Sequence, residues 1–92
     1  MTTMSALLDE LIETERKYRE TVNGQGEKAE VAKADRRIRL MNDMKRYSNG
    51  ADRSFSDTEG DELKRDIEVL AAHEWCANEA SALVTRHMKN PL

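Results

Sequence analysis

Aromatic side chains are scarce in this 92-residue chain: Tyr18, Tyr47, Phe55 and Trp75 are all it has. Proline occurs once, at Pro91, and glycine four times, so little in the chain interrupts a helix. A lone Cys76 excludes an internal disulfide, and nothing demands an oxidising compartment. No apolar run approaches the length of a membrane span, so no membrane partner is expected. The start, Met1-Thr2-Thr3-Met4-Ser5, lacks the basic region and apolar run of a secretory signal, which makes cytoplasm the expected location. There is no glycine-rich phosphate loop, no Gly-x-Ser-x-Gly and no Glu-x-x-His. Those absences remove the common nucleotide-hydrolysing, acyl-transfer and di-metal readings, so neither an enzyme nor a cofactor is expected.

What is present is charge and helix-forming residues. Charged side chains make up 36% of the chain, with Ala, Leu, Glu, Lys and Arg prominent, the composition of an all-α protein of one domain. A chain this short buries a modest fraction of its surface, so its amphipathic helices are expected to complete their core by packing in a homo-oligomer.

Three helices are predicted. Thr3 or Ser5 caps the first, whose face runs through Leu8, Leu11, Ile12, Glu15, Tyr18 and Val22, with Leu7 broadening it. Asn23-Gly24-Gln25-Gly26 closes it. The central helix begins at about Glu27 and runs to Tyr47, with Val31, Ala34, Ile38, Met41 and Met44 on one face, and Ser48-Asn49-Gly50 ends it. Residues 51–55 form a polar loop in which Phe55 is the one anchor. Ser56-Asp57-Thr58-Glu59 is a capping-box pattern opening a long third helix from about Asp57 to Met88, with Arg86, His87 and Lys89 near its end and Pro91 as its stop.

The central helix carries seven Lys and Arg (Lys28, Lys33, Arg36, Arg37, Arg39, Lys45, Arg46) against three acids, in a chain whose net charge is −3. An anion-binding helix in an acidic protein is the one functional hint in the composition. The overall charge argues against polymeric nucleic acid, which normally meets a basic footprint over the whole domain. Arg36-Arg37-x-Arg39 reads first as a solvated face with intrahelical pairs to Asp35 and Asp43, and second as an anion site. Tyr18 reads either as a half-buried anchor or as a ring held out to stack on a base. Trp75 lies off the main stripe and reads as core or interface before stacking platform. His73 and Cys76, three apart, begin a metal site that no second Cys completes, and Cys76 reads as a small buried residue.

Two stretches carry a resemblance. The central helix reads Ala34-Asp35-x-Arg37-Ile38-x-Leu40-x-x-Asp43. The chain ends Glu79-Ala80-Ser81-x-x-x-x-Arg86-x-x-x-x-Pro91, preceded by Ile67-x-x-Leu70. Together they resemble the anti-CBASS protein 2 family, small helical cyclic-nucleotide sponges of phages, over about residues 18–91. The resemblance implies a hexamer that binds cyclic di- and trinucleotides, such as 3′,3′-cGAMP or cyclic tri-adenylate, without cleaving them, in the host cytoplasm. It implies a Tyr that stacks on a base and a Lys that meets phosphate about fifteen residues later, a separation that Tyr18 and Lys33 have. Arg37, one turn beyond Lys33, is placed to share the phosphate, and Lys28 is the rival to Lys33. Residues 1–17 are then an N-terminal extension. The alternative from a different class is a helical interaction module whose basic helix docks on an acidic protein. A third reading is nucleic-acid binding through Arg36, Arg37 and Arg39.

Overall fold

The computed structural model describes residues 2–48 and 53–88. The expected turn and loop residues Asn49, Gly50, Ala51 and Asp52, and Lys89 and Pro91 beyond the last helix, lie outside it. The described chain is all-α but for one two-residue strand pair. Four helices replace the three predicted: α1 (Met4–Gly24), α2 (Lys28–Tyr47), α3 (Asp57–Ala71) and α4 (Ala77–Met88). Short strands β1 (Thr2–Thr3) and β2 (Ser54–Phe55) pair antiparallel, Thr2 facing Phe55 and Thr3 facing Ser54.

Local chemistry sets the ends of these helices. Thr3 caps α1, its hydroxyl accepting from the Ala6 N–H at 3.3 Å. At the other end, Gly26 takes φ 75°, donates to the Asn23 carbonyl at 3.1 Å, and lets Glu27 donate to Val22 at 3.0 Å. This is the Schellman closure, and the left-handed position explains the glycine. Ser48 ends α2, its N–H donating to Met44 and its hydroxyl to the Lys45 carbonyl. The capping box at α3 forms in full: the Ser56 hydroxyl accepts from Glu59, and the Glu59 carboxylate from the Ser56 N–H.

The long third helix is broken at residues 72–76, where neither glycine nor proline stands. Ala72 and His73 close α3 in tight turns back to Val69 and Leu70. Cys76 then opens α4 as half a capping box, its N–H held at 3.2 Å by the Glu79 carboxylate. The physical reason for the break is packing. An unbroken rod would carry Leu83 and Val84 away from the core, whereas the turn folds α4 back onto α2 and α3, where Ala80, Leu83 and Val84 are buried. Trp75 in the turn packs against that core, its ring nitrogen donating to Asp43 of α2 at 3.2 Å.

The short Gln25–Glu27 link makes α1 and α2 an antiparallel hairpin. One end of the hairpin joins α3 and α4 around Met4, Leu8, Ile12, Leu40, Met41, Met44, Leu63 and Ile67, with Phe55 pinned on this core as expected. Met4, Leu8 and Ile12 belong to that core, so the start of α1, residues 4–12, is built into the protomer. The other end of the hairpin, from Glu13 on α1 to Arg36 on α2, contributes nothing to the four-helix cluster, and Val22 and Ala34 are buried separately. No helix of the described residues is long and apolar enough to cross a membrane.

Candidate functional site

Acidic α1 lies along basic α2 and answers two of its seven cations, Arg37 and Lys45. Arg19 meets Asp35 at 2.5 Å, and ion pairs also join Glu15 to Arg37 and Asp9 to Lys45. Later residues of α2 meet earlier residues of α1, as the antiparallel hairpin requires. Arg46 pairs with Asp43 within α2 at 3.8 Å. With Lys33 held by Glu30, four of the seven cations of α2 are paired among the described residues, so the protein itself meets the anion-binding hint only in part.

Three of the four predicted site residues come together where the hairpin leaves the four-helix core. The Tyr18 hydroxyl donates to Glu30 Oε2 at 2.9 Å, and Lys33 Nζ donates to Oε1 of the same carboxylate at 3.2 Å. The Arg37 guanidinium stands 5.9 Å from the Tyr18 ring centroid, within cation–π reach. Tyr18 is 39% exposed, so part of its ring faces outward. The Lys33 side chain is 61% exposed, whereas those of Arg37 and Glu15 are 20% and 15% exposed. Lys33 is thus a loosely held cation and Arg37 a tightly held one.

Lys28 does not join them. At about 100° per residue it points to the opposite side of α2 from Lys33 and Arg37. It is exposed at the first turn of the helix.

The electrostatics follow from Glu30. Accepting from Tyr18 and then from Lys33 holds its carboxyl below the usual range. The Tyr18 phenol is pushed up, first by that same hydrogen bond, since ionising it removes the donor and sets two anions together. Behind Arg37, a crevice of about 20 Å³ among Leu11, Thr14, Met41 and Ile67 holds one water at most. A ligand at this face therefore lies on the surface or between copies.

Glu30 and Glu15 went unpredicted as members of this cluster. Glu30 stands three residues before Lys33, a pairing distance on a helix. Glu15 occupies a position of the apolar stripe, and a charge on such a position is the sequence mark of a half-buried ion pair. Among the other candidates, Cys76 is exposed rather than buried, and His73 is exposed. Trp75 is partly buried, with the Arg39 guanidinium 4.6 Å from its ring centroid.

Comparison with protein-family models, curated proteins and solved structures finds no match to this chain.

Proposed function

We propose that the protein binds and sequesters cyclic di- and trinucleotides without cleaving them, as an anti-defence protein of a phage acting in the host cytoplasm. The observation that carries this reading is the convergence of an outward ring, Tyr18, with the ammonium of Lys33 and the guanidinium of Arg37, from positions up to 19 residues apart. The sequence resemblance selects Tyr18 and Lys33, and helical spacing adds Arg37.

The chemistry assigns each a part. The exposed face of Tyr18 stacks on a base, an interaction of about 1–3 kcal/mol per base that tolerates any base. Lys33 contacts a phosphodiester oxygen. Its pair with Glu30 is an exposed one, worth about 0–1 kcal/mol, so a phosphate displaces it at little cost. Arg37 stays with Glu15 and supplies positive potential beside the ring. Glu30 opposes an anion, and its hydrogen bond orients the Tyr18 hydroxyl away from the stacking face. Sequestration needs no reacting group.

Titration calorimetry against a panel of cyclic dinucleotides and a cyclic trinucleotide tests the reading, with recovery of the ligand after denaturing the protein. Binding with unchanged ligand is expected, weakened about tenfold to a hundredfold by Tyr18→Ala, as loss of one stacked base requires. A linearised product would make the protein an enzyme. Absence of heat with every ligand, or a Tyr18→Ala variant that binds as well as the wild type, contradicts the proposal.

A further inference from the structure

Glu30 is the one member of the cluster to which the ligand reading gives no contact of its own, and it is placed to make one. Its Oε2 accepts from the Tyr18 hydroxyl at 2.9 Å, so the carboxylate lies at the hydroxyl end of the ring. Its Oε1 accepts from Lys33 Nζ at 3.2 Å. A carboxylate has about four acceptor positions, and these two bonds leave some of them open. The Glu30 side chain is 33% exposed, so the open positions are within reach of a ligand on this face.

Binding as proposed above brings two changes to Glu30. A base stacked on Tyr18 and extending past the hydroxyl carries its edge to the carboxylate. Lys33, turning to a phosphodiester oxygen, gives up Oε1 at the same time. Glu30 stays ionised, because the bond from Tyr18 holds its carboxyl low. A charged acceptor covered by a ligand and left without a donor is costly, and a donor on the base edge removes that cost. The bases differ at their Watson–Crick edges. Guanine presents N1–H and N2–H₂ side by side, two donors that match the two oxygens of a carboxylate. Adenine presents N6–H₂ beside the N1 lone pair, which repels a carboxylate. Stacking alone tells the two apart poorly.

We infer that Glu30 sets the base preference of this site, selecting guanine over adenine by accepting from the guanine N1–H and N2–H₂ groups while the same base stacks on Tyr18. The inference rests on the sequestration reading and adds to it the class of base. It also gives an acid a use in a site for anions. Glu30 repels the phosphates of every cyclic nucleotide alike, and what it contributes in exchange is discrimination between bases.

Titration calorimetry on the full chain with cyclic di-GMP and cyclic di-AMP tests it. The wild type is expected to bind cyclic di-GMP at least about tenfold more tightly. Glu30→Gln presents one acceptor and one donor, the complement of the adenine edge, and is expected to reverse the preference. Glu30→Ala is expected to bind the two ligands alike. Circular dichroism checks that each variant remains folded. A purely structural role for Glu30 would weaken both ligands together and leave their ratio unmoved. A wild type that binds the two alike, or a ratio unmoved by both substitutions, overturns the inference. If Tyr18→Ala still weakens both ligands, the sequestration reading survives that result. No heat with either ligand in the wild type removes that reading, and this inference with it.

Discussion

The two sides of α2 carry similar residues and put them to different uses. On the side toward α1, Arg37 and Lys45 are tied to carboxylates of the neighbouring helix, and Lys33 to Glu30. On the outer side, Arg36 and Arg39 have no such partners among the described residues, and Arg39 rests on Trp75. What separates the sides is angle around a helix axis, not residue type. The tally of charge along α2 is therefore a poor guide to what that helix can bind. The place to look is where a cation is unpaired, or paired weakly enough to change partners.

The comparison requires α1 to be fixed along α2, and its N-terminal half provides the fixing. Leu8 is fully buried in the core. Leu8→Ala should lower unfolding stability by about 3 kcal/mol, measured by denaturant titration. A loss below about 1 kcal/mol would mean that α1 is not anchored there.

The next largest difference lies between the two sides themselves. Arg37→Ala leaves Glu15 half-buried and unpaired, and should lower stability by about 2 kcal/mol. Arg39→Ala gives up one exposed cation–π contact, and should lower it by about 1 kcal/mol or less. Equal losses would erase the distinction between the two sides.

A smaller effect sharpens the account of Tyr18. Its raised pKa means that the hydrogen bond to Glu30 supports folding below the usual phenol range, and that this support is lost as pH rises through the raised value. For Glu30, lowered, the support is present above the usual carboxylate range and is lost as pH falls through the lowered value. In a Tyr47→Phe background, the phenolate absorbance reports Tyr18 alone. Glu30→Gln should move that midpoint down, and an unmoved midpoint would mean that the bond does not form.

Much of this fold can be read in the chain. The spans of α1 and α2, the Gly26 closure, the Ser56 cap and the buried Phe55 all follow from local patterns. The break between α3 and α4 does not, because no glycine, proline or polar run marks residues 72–76. One trace of it exists: the apolar stripe Leu63, Ile67, Leu70 and Ala71 is not taken up again until Ala77, and Trp75 lies off it. The need to bring Ala80, Leu83 and Val84 onto the core decided the turn, and that is a tertiary demand. The same holds for the candidate site. Tyr18 and Lys33 could be chosen from spacing and resemblance, and the helical angle sets Lys28 on another face once the ends of α2 are known. The role of Glu30 as the carboxylate that joins Tyr18 to Lys33 needed the hairpin, because only folding brings positions 18 and 30 together.

The most direct test sets two exposed lysines of α2 against each other. In calorimetric titrations with a cyclic dinucleotide, Lys33→Ala should weaken binding about tenfold, while Lys28→Ala, on the opposite side of the helix, should leave the affinity unchanged. Weakening by Lys28→Ala with Lys33→Ala unaffected would place the ligand on the far side of α2 and contradict the account.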